Sequence, residues 1–252
     1  MKPQAPWLIA LLMLLLPAAA GADAGSEPLP FALFPGGTAA ESITTPAAYS
    51  AYAGLYYLGA FGVRQVTFGP SGKRHVGNDA AMTAGLGLGQ YGHGVTLAVT
   101  MANLSEANDI YFSAKWQVAP ETRTWPALGV GMEDIFDNVT PQQAIRSSYV
   151  VATRTLWDRK RVLRGQSLLA RTTLSLGYGD GRFHNQPFAS VATSLSPQSE
   201  AIVERDHWGT NVGLSAAPWR QQPGVVVGVY GMRLDSAKWH TVAGSLTYVW
   251  SK

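Results

Sequence analysis

The chain has 252 residues, of which 14% are charged and 10% are aromatic, and its net charge is +3. Soluble proteins average roughly 25% charged residues, so this composition disfavours a charge-rich soluble enzyme. There is no cysteine, which excludes disulfides, thiolate metal ligands and thiol catalysis. The basic residues are scattered along the chain rather than gathered into one stripe, so nucleic acid is not an expected partner.

The first segment has the layout of a secretory signal. Lys2 precedes an apolar run over residues 7–16, and small residues follow up to Ala24. This run reaches roughly 15 Å as a helix, about half of a 30 Å hydrocarbon core. We therefore expect residues 1–24 to be a cleaved signal peptide. Residues 25–49 contain closely spaced prolines and predict an extended periplasmic lead-in.

From residue 50 onward, apolar and small or polar residues alternate with period two, and Gly, Pro, Asn and Asp mark the breaks. Most of the predicted strands have about 9–12 residues, the length that a tilted strand needs to cross a bilayer core. The pattern predicts about twelve strands, near 50–60, 80–90, 93–103, 108–118, 125–135, 147–157, 168–179, 187–195, 199–206, 207–217, 223–234 and 239–250.

The two faces of these strands differ in a way that favours a membrane barrel. In one strand Ile110, Phe112 and Trp116 share a face, while Ser113 and Lys115 share the other. Across the chain the second face carries mostly Gly, Ala, Ser and Thr, which suits a closed lumen, whereas the large apolar face suits lipid. The sequence therefore predicts an all-β fold, a single antiparallel up-and-down transmembrane β-barrel over residues 50–252. Candidates for its interfacial aromatic girdles are Trp125, Tyr149, Trp157, Tyr178, Trp208, Trp239 and Trp250.

The last strand carries a resemblance. Leu246, Tyr248 and Trp250 form an apolar stripe that ends on an aromatic residue, with Ser251 and Lys252 beyond it. In this respect the chain resembles bacterial outer-membrane β-barrels, whose final strand alternates and ends in the same way. The resemblance implies that these three residues are an assembly signal. It also implies an outer-membrane location, with outer-membrane lipid and the barrel-assembly machinery as partners.

A narrower resemblance rests on stretches 42–48, 130–135, 148–152 and 176–183, whose order and spacing are similar to those of YjbH-type barrel proteins linked with exopolysaccharide. These stretches are structural rather than catalytic. The resemblance therefore implies the architecture and a link with surface polysaccharide, with anionic polysaccharide as a candidate partner.

No motif for a cofactor or a metal emerges. The alternating glycines of residues 85–89 lie within a predicted strand rather than before a helix. They therefore predict inward positions that keep a lumen clear or allow tight curvature, not a phosphate loop. The five histidines lack metal-site spacing; they are His75, His93, His184, His207 and His240. We assign no catalytic residue. An outer-membrane hydrolase remains an alternative, and it requires a serine or aspartate beside a rim histidine.

Charged residues inside the predicted lumen bear on transport. Candidate lumen-lining charges are Lys115, Glu133, Arg154, Arg171 and Arg233. Charges in a lumen either pair or select a permeant of opposite sign, and an excess of cations predicts a preference for anions. The favoured function is a structural or passive, porin-like transport role, and a secreted soluble β-barrel binding module is a further alternative.

Overall fold

In the computed structural model the described residues are 43–68, 74–102, 109–136, 146–163, 166–196, 199–218, 224–235 and 239–251. Within these ranges twelve antiparallel strands form a closed barrel, in which each strand pairs with its neighbours in the chain and β1 pairs with β12. The predicted fold class and strand number are confirmed. Among the described residues, no helix is long and apolar enough to cross a membrane.

The strands have the following bounds. The first six are β1 Leu55–Phe68, β2 Arg74–Leu88, β3 Val95–Ala102, β4 Asp109–Ala119, β5 Ala127–Glu133 and β6 Ser147–Leu163. The second six are β7 Gln166–Gly179, β8 Gln186–Ser196, β9 Ser199–Asp206, β10 Gly209–Ala216, β11 Val225–Met232 and β12 Trp239–Ser251. A short 3-10 helix, Gly181–Phe183, lies between β7 and β8.

The two ends of the barrel are distinguished by the chain direction. We call the end where β1 begins and β12 ends the terminal end, and the opposite one the distal end; Leu55 pairs with Ser251 at the former. Odd-numbered strands therefore run from the terminal to the distal end, and even-numbered strands run back. The longest connection between strands, residues 134–146 between β5 and β6, lies at the distal end.

The outward face of the barrel is apolar, as the alternation predicts. Large hydrophobic side chains that are about 40–66% exposed occupy its outward positions and include Ile110, Phe112, Trp116, Val150, Leu176, Leu214, Val229 and Val242. The residues between them are buried or half-buried and face the interior, for example Lys115 and Thr153. Tyr149 is also inward and only 7% exposed, so its predicted place in an outer girdle is wrong.

The N-terminal part of the barrel differs from the prediction. The first strand begins at Leu55, not at residue 50, because Gly54 has φ +90° and ends the preceding extended stretch. Residues 43–54, which we call the inner segment, run inside the barrel, where Ala47, Ala48 and Ala51 are almost completely buried. A periplasmic lead-in is therefore wrong for residues 43–49, while residues 1–42, including the predicted signal peptide, lie outside the described part of the chain.

The face assignment gives a matched pair of substitutions on β4. Phe112→Lys places a charge on the outward face, where a cation costs roughly 2–4 kcal/mol near the middle of a membrane, so we expect a sharp fall in assembled barrel. Ser113→Lys places the same charge on the lumen side and is expected to be tolerated, because Ser113 lines an internal cavity. The yield of heat-modifiable, fast-migrating protein measures both, and equal tolerance of the two variants would contradict the assignment.

Candidate functional site

The inner segment crosses the lumen from the distal end to the terminal end. Thr44 contacts Asp206, the last residue of β9, and Arg182 in the β7–β8 connection, both at the distal end. At the other end of the segment, the N–H of Ala53 donates to the carbonyl of Gly89 in the β2–β3 connection, with N···O 2.9 Å. The segment therefore runs through the lumen from one end of the barrel towards the other.

Glu204 holds the distal part of the inner segment. Its carboxylate accepts the N–H groups of Ile43, Thr44 and Thr45 at N···O distances of 2.8, 2.8 and 3.2 Å. The hydroxyls of Thr44 and Thr45 donate to it at 2.6 and 3.0 Å, and the Asn211 amide donates at 2.8 Å. Glu204 is only 1% exposed. A buried carboxylate with several donors is a strong anchor, because removing it leaves those donors unsatisfied.

An ion pair between Arg182 and Glu133 extends this cluster towards the distal end. The Arg182 guanidinium makes two hydrogen bonds with Glu133, at 2.5 and 2.8 Å, and also donates to the carbonyl oxygen of Thr44 at 2.7 Å. Partial burial opposes the charged form of Arg182, but the Glu133 carboxylate outweighs it and raises the arginine pKa above its ordinary value. The guanidinium therefore stays charged and ties the inner segment to β5.

The middle of the inner segment is fixed by hydroxyl and amide side chains of the wall. The Ala48 N–H donates to Thr153 Oγ1 at 2.8 Å, and the Ala51 N–H donates to Thr96 Oγ1 at 2.8 Å. Between them, the Ser50 N–H donates to Gln117 Oε1 at 3.3 Å. Because residues 43–54 belong to no strand of the sheet, these side chains supply the acceptors that their backbone requires.

A second carboxylate acts at the terminal side. Glu121, in the β4–β5 connection, accepts the Tyr49 hydroxyl at 2.5 Å. The same carboxylate accepts the N–H and the hydroxyl of Thr155 on β6, at 2.7 and 3.0 Å. Glu121 therefore joins the inner segment to two neighbouring parts of the wall.

Wall glycines let the inner segment approach. A Cβ added to Gly94 would lie 2.1 Å from the Ala51 carbonyl oxygen, and one on Gly87 would lie 2.2 Å from the Tyr52 carbonyl oxygen. A Cβ on Gly129 would lie 2.9 Å from the Cα of Ala48. Gly87 is thus an inward position, as predicted, but it admits the inner segment rather than keeping the lumen clear.

The glycine contacts yield a second matched pair. Gly94→Val is expected to displace the inner segment, because the new side chain overlaps the backbone of Ala51 and backbone cannot move aside cheaply. Gly62→Val is the control, since a Cβ at Gly62 meets no atom within 4 Å. We expect faster hydrogen exchange in residues 43–54 of Gly94→Val alone. Unchanged protection in both variants would contradict the tight fit.

An apolar cluster lies at the terminal end of the lumen. Ala51 of the inner segment packs there with residues of β1, the β10–β11 connection, β11 and β12; the cluster comprises Ala51, Leu55, Tyr57, Ala217, Val226 and Val249. Ala51 and Val226 are 0% exposed. Packed apolar side chains therefore fix the inner segment to this part of the terminal end.

A cavity of about 520 Å³ remains beside the inner segment. One wall of the cavity is formed by Ile43, Thr44, Thr45 and Pro46. The hydroxyl-bearing side chains of the barrel wall around it are Tyr57, Thr83, Thr96, Thr100, Tyr111, Ser113, Tyr149, Ser245 and Thr247. The charged residues Lys115, Glu133, Asp134 and Arg182 also line it. This volume lies within the range of small-molecule sites, about 300–1,000 Å³.

Two of the five predicted lumen charges lie at this cavity, namely Lys115, which is 6% exposed, and Glu133. The inward prediction for Arg154 is wrong. Thr153 is the buried, inward neighbour, whereas Arg154 lies on the outer side and donates to the carbonyl oxygens of Arg123 and Thr124 at 3.0 and 2.8 Å. Both faces of β6 carry apolar residues here, so alternation does not identify the inner one.

The other two predicted lumen charges are Arg233 and Arg171, and the structure describes neither side chain inside the lumen. Arg233 follows β11 in a left-handed conformation with φ +58°, and its guanidinium lies 5.0 Å from the centre of the Trp208 ring at the distal rim. Its prediction as a lumen-lining residue is therefore wrong. Arg171 pairs with Asp158 in the β6–β7 register, and its side chain lies outside the described residues.

The buried charges that the structure describes are mostly acidic. Among the side chains that the structure describes, Lys115 is the buried cation, and the buried carboxylates are Asp134, Glu200, Glu204 and Asp206. An excess of carboxylates favours cations over anions, so the expected anion preference is not supported by the described lumen.

The predicted assembly residues lie at the seam that closes the barrel. On β12, Leu246, Tyr248 and Trp250 pair with Ala60, Leu58 and Tyr56 of β1, respectively. The Trp250 ring stacks on Tyr56 with ring centres 5.8 Å apart, and on Tyr248 at 5.5 Å. Their role as an assembly signal stays a prediction.

Two of the histidines meet at the distal rim. The rings of His184 and His207 stack with centres 4.3 Å apart, and both contact the edge of Trp208. These contacts place His184 and His207 in an aromatic cluster, and the hydrolase alternative stays a prediction.

Among the comparisons with known proteins, the one with solved structures gave matches. No family model matches the chain, and no curated protein matches it. The chain is similar to the COG4313 outer membrane channel from Pseudomonas putida F1, with 7% identity, a TM-score of 0.48, and coverage of 82% of this chain and 100% of that one.

Two further structures were found. The transport unit of the autotransporter AIDA-I from Escherichia coli has 8% identity and a TM-score of 0.44, over 78% of this chain and 90% of that one. Neisserial surface protein A has 11% identity and a TM-score of 0.22, over 78% of this chain and 97% of that one. At these values the fold assignment rests on the barrel geometry itself.

Proposed function

We propose that this protein is an outer-membrane β-barrel for passive transport of small polar solutes, closed at rest by its own inner segment. The observation that carries the proposal is the anchoring of residues 43–45 on the buried carboxylate of Glu204. Residues 43–54 occupy the lumen beside a cavity, so the lumen would open if this segment moved out while the strands of the wall stayed paired.

The outer surface supports a membrane location. Exposed side chains such as Val150, Leu214 and Val229 are 56–66% accessible and lie around the whole barrel. Soluble monomers rarely expose contiguous apolar patches above a few hundred Å². A closed barrel also leaves no unpaired strand edge, which is what a hydrocarbon environment requires.

The bonding of the inner segment supports a closed resting state that is able to open. The contacts of Thr44 and Thr45 with Glu204 are polar, and water can replace such partners when the segment moves. Near the terminal end, apolar packing around Ala51 holds the segment. We infer that opening begins at the distal end, where a network of hydrogen bonds to Glu204 holds the segment in addition to the apolar packing of Ile43.

The lining indicates the kind of solute. The cavity is rich in hydroxyl groups and its charged residues include Lys115 with Glu133, Asp134 and Arg182. Uncharged polar solutes and small cations suit such a passage better than acidic sugars do. A link with surface polysaccharide, implied by the resemblance to YjbH-type proteins, stays a prediction.

Fractionation and bilayer recording test the proposal. We expect the protein in the outer-membrane fraction, with faster gel migration unheated than boiled, because a closed barrel resists detergent unfolding. In planar bilayers the wild type should stay closed most of the time, with brief openings that favour cations in a salt gradient.

Other outcomes contradict the proposal in distinct ways. Recovery as a soluble species would contradict the membrane location. Steady large conductance would show that the inner segment does not close the lumen. A barrel that never opens, even with its anchor removed, would indicate a structural role.

A further inference from the structure

We propose that the cavity beside the inner segment is a binding site for a compact, uncharged and polyhydroxylated ligand, which is the chemistry of a single neutral sugar ring. This inference rests on the proposed transport function and names the class of solute for it. The cavity of about 520 Å³ lies between residues 43–46 and a part of the wall that runs from β12 through β1 to β6. It is therefore bounded both by the wall and by the segment that closes the lumen.

The charges at the cavity balance, which favours an uncharged ligand. Lys115 and Arg182 are the cationic residues of its lining, and Glu133 and Asp134 are the carboxylates. Arg182 and Glu133 satisfy each other through two hydrogen bonds, at 2.5 and 2.8 Å. Because the formal charges of the lining sum to zero, a charged ligand gains no net attraction that would offset its own desolvation. The acidic excess of the described interior comes from carboxylates that do not line this cavity.

Hydroxyl groups on the wall match a ligand that carries hydroxyls itself. Thr83, Thr100 and Ser113 line the cavity from β2, β3 and β4, and Ser245 and Thr247 line it from β12. The Oγ1 atoms of Thr83 and Thr100 share a hydrogen bond of 2.9 Å. A hydroxyl has one donor site and two acceptor sites, so one shared bond does not exhaust either group. Each wall hydroxyl can therefore donate to a ligand hydroxyl or accept from it.

Aromatic rings supply the apolar part of the site. Tyr57, Phe61, Tyr111 and Tyr149 line the cavity. Tyrosine offers an apolar ring with a polar tip, and the C–H face of a sugar ring packs on such a surface while the sugar hydroxyls reach polar groups. The Tyr149 ring is held edge to face by Phe183, with ring centres 5.9 Å apart. This packing fixes the aromatic surface before a ligand arrives.

The volume and the position of the cavity define what binding would change. Small-molecule sites span about 300–1,000 Å³, so this cavity admits a compact ligand rather than a polysaccharide chain. A ligand of about twelve non-hydrogen atoms is expected to bind with a dissociation constant of about 1 mM. Since Ile43, Thr44 and Thr45 form part of the lining, a bound ligand would contact the inner segment. Occupancy is therefore expected to slow amide exchange in residues 43–45.

Three sugars with the same ring test the charge requirement. Glucose is neutral, protonated glucosamine is a cation, and glucuronate is an anion. Each is titrated onto the full chain in detergent, after heat-modifiable migration has shown a folded barrel, and binding is followed by saturation-transfer NMR. We expect glucose to bind about tenfold more tightly than either charged sugar. In Lys115→Gln the carboxylates are in excess, so glucosamine is expected to gain about tenfold relative to glucose.

A matched pair of substitutions on β2 locates the bound sugar. Ala81 lines the cavity, and its neighbour Ala80 lies on the opposite face of the strand. Ala81→Leu fills part of the cavity and is expected to weaken glucose binding about tenfold or more, with loss of the slowed exchange in residues 43–45. Ala80→Leu adds the same atoms to the outward face and is expected to bind glucose as the wild type does.

The remaining outcomes separate this inference from the proposed function. A folded barrel that opens in planar bilayers but binds no glucose overturns the inference and leaves the proposed function standing. Tighter binding of glucosamine or glucuronate than of glucose to the wild type shows selection by charge and overturns it as well. Equal binding by Ala81→Leu and Ala80→Leu places the sugar outside the cavity, with the same consequence. A soluble, barrel-free product would instead contradict the proposed function.

Discussion

Glu204→Ala is expected to convert a mostly closed barrel into a conducting one. The substitution removes the acceptor of the N–H groups of Ile43, Thr44 and Thr45 together with two hydroxyl donors and the Asn211 amide. Buried donors left without partners cost about 1–3 kcal/mol each. The segment regains water partners only by leaving the wall, so even two or three such donors favour release by roughly 10²- to 10³-fold.

The same measurement has a control on the same strand. Arg205 is the next residue of β9, but its side chain is exposed on the outer side and pairs with Asp235. Arg205→Ala is therefore expected to keep the wild-type open probability in planar bilayers. If Glu204→Ala stays as closed as Arg205→Ala, the carboxylate is not what holds the segment in place.

A reversible disulfide lock between the inner segment and the wall distinguishes opening of the lumen from unfolding of the barrel. Ala48→Cys with Thr153→Cys joins two residues whose backbone N–H and side-chain oxygen are already hydrogen-bonded at 2.8 Å. Introduced into the Glu204→Ala protein, an oxidised pair is expected to suppress conductance, and reduction should restore it. A damaged wall would leak in both redox states, so the lock distinguishes a moving segment from a broken barrel.

The fold was accessible from the sequence because its information is local. Alternation of large apolar and small polar residues indicates which face of a strand points to the lumen. This face can be predicted without knowing which distant residues the strand contacts. In β4 the predicted outward residues Phe112 and Trp116 and the inward Lys115 all lie as expected. Where both faces are apolar, as around Val150 and Val151, alternation does not distinguish the inward face of the strand. The sequence therefore predicts the wrong side of β6 for Arg154.

The candidate site was not accessible in this way, because it joins residues that are far apart in the chain. Thr44 and Glu204 are separated by 160 positions. One signal was present: on β9 Glu200, Glu204 and Asp206 share the inward face of a short strand, which is unusual unless they have partners inside. The partners of Glu204 include backbone N–H groups of the inner segment, and nothing in the apolar, proline-bearing sequence of that segment predicts this contact.

Closure of the barrel also depends on long-range pairing, between β1 and β12, and the aromatic end of β12 allows this pairing to be tested. Trp250 stacks on Tyr56 across the seam and on Tyr248 along its own strand. Aromatic pairs contribute about 0.5–1.5 kcal/mol each beyond their burial. Losing both contacts is expected to shift the closing equilibrium by roughly 5- to 150-fold, the factor that corresponds to about 1–3 kcal/mol.

Trp250→Ala should therefore lower the fraction of fast-migrating, unheated barrel and reduce the urea concentration at which it unfolds. Trp125→Ala is the matched control, because that side chain is 71% exposed in the β4–β5 connection, away from the β1–β12 seam. Both variants lose one indole, but only the first loses a stacking partner between the first and last strands. Equal losses in the two would indicate that exposed tryptophans anchor the barrel by contact with lipid. No loss in Trp250→Ala would instead show that the backbone ladder from Leu55 to Thr67 suffices to close it.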